Sequence, residues 1–185
     1  MSPDLERIIV DRERIAARVR ELSARIEHDL ASDPISEPDD SSLVLVPVLT
    51  GAMIFVADLI RHLPRRLRIS AMTASSYPGT ATRSQGHVEL GEMPRHLAGQ
   101  DVIIVDDILD SGRTLAAIRD ALSALEPRSL RTCVLLRKDV ARAVPVEADY
   151  VGFDIPDEFV VGYGLDYDGL YRNLPDIGVL REDKR

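Results

Sequence analysis

The chain has no second cysteine, and so no internal disulfide. Cys133 stands alone in the apolar run RTCVLLR (131–137) and reads as buried core. No window of the 185 residues approaches the roughly 18 apolar residues that a membrane helix needs. The stretch MSPDLERIIVDRER at the N-terminus is charged throughout and lacks the apolar segment of a signal peptide, so the expectation is a cytoplasmic protein. An excess of positive charge is missing as well. With 23 Lys and Arg against 31 Asp and Glu the net charge is −8, which argues against nucleic-acid and membrane partners. The histidines at 28, 62, 87 and 96 show no ligand spacing, and no internal repeat is visible. What is present is an ordinary globular composition, 45% hydrophobic and 29% charged. A chain of this length fits one domain that buries roughly two-thirds of its unfolded surface.

Apolar residues Ile15, Val19, Leu22, Ile26 and Leu30 form a stripe that predicts a helix over 11–30. The Pro-, Asp- and Ser-rich stretch 31–42 reads as a loop. LVLVPV (43–48) is a strand that passes through Thr50-Gly51 into a helix over 51–63, the first half of a βαβ unit. LRISAMTA (67–74) alternates as a strand. Residues 75–91 then turn polar and glycine-rich, which fits either a lid or a long hairpin. VIIV (102–105) has the continuous β-branched character of a strand buried on both faces, and a helix follows over 114–125. RTCVLLR, YVGFDI (150–155) and the shorter FVVGY (159–163) are further strand candidates. Strands alternating with helices imply an α/β fold on a twisted, mostly parallel sheet.

Open parallel sheets bind ligands at the carboxyl ends of their strands. Directly after VIIV the chain reads Asp106-Asp107-Ile108-Leu109-Asp110-Ser111-Gly112-Arg113-Thr114. A turn opening a helix presents free amides and a positive dipole end to a phosphate monoester. Gly112 permits close backbone approach, and the hydroxyls of Ser111 and Thr114 can donate to phosphate oxygens. Asp106 and Asp107 would be repelled by that phosphate, and suit the vicinal hydroxyls of a sugar instead. Together the stretch reads as a ribose-5-phosphate cradle. A simpler reading is an Asp-rich helix start in which Asp110 or Ser111 caps the first turn.

VIIVDDILDSGRT resembles the phosphoribosyl-pyrophosphate signature of type I phosphoribosyltransferases. From about residue 5 to 181 the chain resembles the hypoxanthine-guanine branch, through PVLTGAMIFVADL, SSYPGT, LLRKD and YVGFDIPDEFVVGYGLDYDGLYRNLPDIGVL. The resemblance implies a type I phosphoribosyltransferase fold with a small hood and a mobile lid loop. It also implies one domain over 1–185, with helix 11–30 and segment 150–185 on the hood or base-binding side. The implied reaction joins hypoxanthine or guanine to 5-phosphoribosyl 1-pyrophosphate with Mg²⁺, giving IMP or GMP and pyrophosphate.

Residue by residue, the resemblance places Asp106 and Asp107 on the ribose hydroxyls, near the metal, and Asp110 to Thr114 on the 5-phosphate. Asp110 also becomes the proton acceptor near N7 of the purine. Lys138 would donate to the oxygen at position 6, which favours hypoxanthine or guanine over adenine. Phe159 would stack on the base and the backbone of Val160 would meet its edge. Asp166 would help position Mg²⁺, and Arg172 would lie near pyrophosphate. Ser76 and Tyr77 match a lid pair whose closure excludes water. Without the resemblance, Lys138 reads as a solvated strand end, Phe159 as core, and Asp166 and Arg172 as surface ion-pair partners.

One block departs from the family. Its pyrophosphate loop usually reads Leu-Lys-Gly, whereas this chain has Leu49-Thr50-Gly51. The loop amides are still expected on pyrophosphate, through a strained peptide at Leu49-Thr50, while donor binding leans more on Mg²⁺ and Arg172. The resemblance further implies a homodimer or homotetramer. The alternatives are an RNA-binding regulator on the same fold and a xanthine-preferring relative. The −8 charge, Asp110 and Lys138 oppose the regulator.

Overall fold

The structure, a computed structural model, describes residues 2–32, 42–76 and 88–185, with only the backbone at 75 and 76. Its larger sheet grows outward from a central strand that needs no polar face. β6 (Asp101–Leu109) is buried from Asp101 to Asp106 because parallel neighbours flank it and helices cover both sides. β2 (Leu43–Leu49) runs along one edge of β6, and β7 (Ser129–Lys138) along the other. β8 (Tyr150–Ile155) pairs parallel with β7 and extends the sheet.

Outside β2 the single strand expected over 67–74 is two strands. β3 (Leu67–Ile69) pairs with the first half of β2, and β4 (Met72–Ser76) pairs with Val48 and Leu49. Pro47, which has no amide to donate, sits where β3 has ended and β4 has not begun. β5 (Val88–Leu90) returns antiparallel to β4, so the polar segment is flanked by a hairpin.

Side-chain alternation sorts the helices to the two faces. α1 (Arg12–Ala31) and α2 (Met53–Ile60) bury Ile15, Val19, Ile26, Phe55 and Leu59 against Leu43, Leu45, Ile103 and Val105. α3 (Arg113–Ser123) buries Leu115, Ile118 and Leu122 against Val44, Val46, Val102 and Ile104. The α1 stripe is the one seen in the sequence, and the helix starts where Asp11 accepts the amide of Arg14 at 2.8 Å. Cys133 is buried, and burial pushes its thiol far up.

A second, antiparallel sheet was not expected. β1 (Leu5–Val10) pairs with β10 (Ile177–Leu180), which pairs with β9 (Val160–Val161). β1 escaped the sequence reading because its register shifts twice, leaving only Leu5 and Val10 fully buried. FVVGY contributes only two strand residues. α1 lies on the main sheet, and the small sheet is built from residues 5–10 and 160–180. Arg12 ties the two ends of the chain together, donating from its amide and its guanidinium to Asp176 at 2.9–3.1 Å.

Candidate active site

The polar turn expected at residue 106 begins later. β6 stays a strand through Leu109, so Asp106 and Asp107 lie within it. Asp106 is 7% exposed, and the Asp107 amide donates to its Oδ1 at 3.0 Å. No ion pair reaches either carboxylate among the described residues. Asp106 is pushed well above the ordinary carboxylate range, first by burial and then by the charge of Asp107. Asp107 is raised as well, because burial outweighs its hydrogen bonds and the field of Arg172. A buried and a half-buried carboxylate side by side without an ion-pair partner are a costly arrangement that bound hydroxyls or a cation would relieve.

Glycine makes the approach of Asp107 possible. A Cβ on Gly51 would lie 1.8 Å from Asp107 Oδ2, so the β2–α2 turn accepts that carboxylate only because residue 51 has no side chain. The Leu49-Thr50 peptide in this turn is cis.

Gly112 is the N-cap of α3, with φ 80°, and among the described residues no side chain caps the first amides of the helix. The capping role considered for Asp110 or Ser111 is therefore not what the structure contains. The turn presents free amides toward a cavity of about 550 Å³. Leu49, Thr50, Gly51, Asp106, Asp107, Asp110, Ser111, Gly112, Thr114, Asp166 and Arg172 all line it. Arg113 starts the helix but does not line the cavity.

A second cavity, of about 190 Å³, shares Asp107, Ile108, Asp110 and Asp166 with the first and adds Lys138, Glu158, Phe159, Val160 and Leu165. The Lys138 side chain at the end of β7 is only 13% exposed. Its ammonium lies 3.4 Å from Asp110 Oδ2 and 3.1 Å from Asp157 Oδ1. Phe159 is 37% exposed and meets Tyr167 edge-on, with centroids 5.5 Å apart. Val160 turns its side chain into the core and offers only its backbone.

Residues 7–168 match the model of the phosphoribosyl transferase domain. The hypoxanthine-guanine phosphoribosyltransferase of Mycobacterium avium is 47% identical over 178 residues, spanning 96% of this chain and 86% of the relative. The enzyme of the same name from Bacillus subtilis (strain 168) is 40% identical over 182 residues, spanning 98% and 96%. This chain belongs to the hypoxanthine-guanine phosphoribosyltransferase family. It also superposes on the Trypanosoma cruzi hypoxanthine phosphoribosyltransferase solved with the product IMP. The TM-score is 0.90 at 39% identity, covering 100% of this chain and 99% of that one. The fold is the type I phosphoribosyltransferase fold.

Against the family pattern, Lys138 and Phe159 are neither a solvated strand end nor core; both face the small cavity. Asp166 and Arg172 do pair, at 2.6 Å, and both line the large cavity. Arg172 also donates to the Gly164 carbonyl at 2.5 Å, and Asp166 Oδ2 accepts the Gly169 amide at 2.8 Å. Each carboxylate oxygen of Asp166 thus has one partner, which leaves lone pairs on both for a metal or its bound water. Among the described residues no cluster of three or more His, Cys, Asp or Glu forms a closed metal cage. Asp106 and Asp107 are hard oxygen donors with uncompensated charge, which suits Mg²⁺ bound by a few carboxylates plus substrate phosphates. Ser76 ends β4, and Tyr77 lies outside the described residues. Sequence reasoning missed Asp157 and Glu158, which sit in the IPDEF block beside Phe159. Their signal was the acidic pair itself, which without a partner in view reads as surface charge. None of the described helices is long and apolar enough to cross a membrane.

Proposed function

We propose that this protein transfers the 5-phosphoribosyl group of 5-phosphoribosyl 1-pyrophosphate to N9 of hypoxanthine or guanine, releasing pyrophosphate. The observation that carries this reading is the junction of two cavities at Asp107 and Asp110. One is lined by a phosphate-type turn and buried carboxylates, the other by a cation and an aromatic ring.

The amides of the Ser111–Thr114 turn hold the 5-phosphate. Asp106 and Asp107 accept hydrogen bonds from the ribose hydroxyls, which replaces the solvation they lost on burial. The Leu49–Gly51 turn and Arg172 hold the pyrophosphate. Phe159 stacks on the base, the Val160 backbone meets its edge, and Lys138 donates to the oxygen at position 6. As the bond from C1 to the pyrophosphate oxygen breaks and the bond from N9 to C1 forms, the base loses a proton, which Asp110 accepts. Asp106, Asp107 and Asp166 would hold Mg²⁺, which would supply positive charge to offset that of the departing pyrophosphate. The protein contributes position and a fixed electrostatic environment. On the family resemblance, Ser76 and Tyr77 belong to the segment that covers the reacting C1.

Residues 1–185 act as one domain in this reading, in a cytoplasmic homodimer or homotetramer, a choice that light scattering decides. The test is a spectrophotometric assay with donor, Mg²⁺ and each of hypoxanthine, guanine, xanthine, adenine and uracil. Turnover of hypoxanthine or guanine is the expected result. Turnover of uracil alone, or of no base, overturns the proposal.

A further inference from the structure

Lys138 has a partner that the reaction scheme leaves unused. Its ammonium carries three donors. One donates to Asp157 at 3.1 Å, while Asp110 is an ion-pair partner at 3.4 Å, which leaves donors for a bound base. The lysine belongs to β7, whereas Asp157 lies in the loop between β8 and β9, two residues before Phe159. The contact therefore ties the cation of the small cavity to the loop that carries its aromatic ring. Without Asp157 the nearest carboxylate to the ammonium is Asp110, the proposed proton acceptor. An ammonium drawn toward Asp110 would leave the position where an oxygen at position 6 is read.

Resting on the function proposed above, we propose that Asp157 is a positioning residue for base recognition, holding the Lys138 ammonium between itself and Asp110 at the wall of the base cavity. The Asp157 side chain is 66% exposed, so solvent screens the pair and its contribution to stability is small. Its effect belongs in binding of the base. The contact cannot act on the 5-phosphate, because neither Lys138 nor Asp157 lines the large cavity.

The experiment compares wild type, Asp157→Asn, Asp157→Glu, Lys138→Gln and the Asp157→Asn/Lys138→Gln double variant. Each is assayed for steady-state turnover of hypoxanthine and for IMP binding by calorimetry. Asp157→Asn is expected to raise the hypoxanthine KM about threefold to tenfold, the range of a single partly screened contact, with kcat within about twofold. The donor KM and the thermal midpoint stay at the wild-type values, and Asp157→Glu recovers part of the loss. In the Lys138→Gln background the same change adds nothing, because the group it positions is gone. A silent Asp157→Asn variant overturns the inference, as does an equal penalty with and without Lys138. So does a joint shift of both KM values and the thermal midpoint, which marks a scaffold role. A wild-type protein that neither turns over hypoxanthine nor binds IMP overturns the proposed function and this inference together. Normal wild-type activity with a silent variant overturns the inference alone.

Discussion

At the first residue of β6, Asp101 is 2% exposed and receives the Arg128 guanidinium on both carboxylate oxygens and the Ser129 hydroxyl at 2.7 Å. Five and six residues along the same strand, Asp106 is buried and Asp107 half-buried with no such partner among the described residues. Burial alone would raise Asp101, but Arg128 and Ser129 outweigh it and hold its carboxyl below the usual range. At the other end burial prevails, and Asp106 is driven up. One residue type in one strand thus serves two purposes. The satisfied end locks β6 to β7, and the unsatisfied end is left for a ligand to complete. On the proposed function, the comparison also explains why the acidic pair is tolerated: its acceptors are left for ribose hydroxyls or a cation rather than spent on the protein.

The difference can be broken most severely just past the functional end. Asp110→Asn is expected to lower kcat by about 10²–10⁴, the usual range for removing a general base, while the thermal midpoint holds. Single-turnover kinetics with hypoxanthine checks this, and a loss below tenfold would remove Asp110 from the proton transfer. At the locked end, Asp101→Asn leaves Arg128 buried beside a neutral amide. It should cost about 3 kcal/mol of unfolding free energy by urea titration, with both KM values unchanged in the folded protein.

A smaller effect of opposite sign is expected at Asp106. Its carboxyl is raised in the folded state, so the folded protein binds the extra proton and the penalty grows as pH rises from the unfolded value toward the folded one. Asp106→Asn should therefore gain about 1 kcal/mol near neutral pH, gain nothing in acid, and weaken donor binding. Asp101 runs the other way. Its pKa is lowered, so its contribution is full above the unfolded value and disappears as pH falls through the folded one. Urea titrations of Asp101→Asn and Asp106→Asn across pH 3–7 should show the two slopes diverging, and parallel slopes would erase the contrast. The smallest change is at the turn that receives Asp107. Thr50→Lys should lower the donor KM by less than about tenfold, most clearly at limiting Mg²⁺, since the added cation is partly screened. A donor KM that is already very low at limiting Mg²⁺ in wild type would count against donor binding that leans on Mg²⁺ in place of the missing lysine.

Much of the main sheet was legible because its determinants are local. The α1 stripe, the β-branched run of β6 and the order strand, acidic pair, glycine turn, helix are each set within a short stretch of chain, 15–30 for the first and 102–125 for the others. Local order also located the glycine turn that opens α3, since its free amides follow from Gly112 and the start of the helix. The length of β6 was not legible. Asp106 and Asp107 look like a turn in the sequence, yet pairing with β7 through Leu109 keeps them in the strand. The division of residues 67–76 between β3 and β4 was likewise hidden, because it depends on where β2 accepts neighbours.

The sequence by itself determined the fold class, the glycine turn before α3 and the identity of most residues lining the two cavities, because periodicity and residue order act over short stretches of chain. Only the tertiary structure decided which aspartates are satisfied, that Gly51 makes room for Asp107, that β1, β9 and β10 form one sheet, and that Asp157 holds Lys138. Each of these depends on contacts between segments far apart in the chain. Burial, which sets the electrostatics of every carboxylate in the site, exists only once those segments meet.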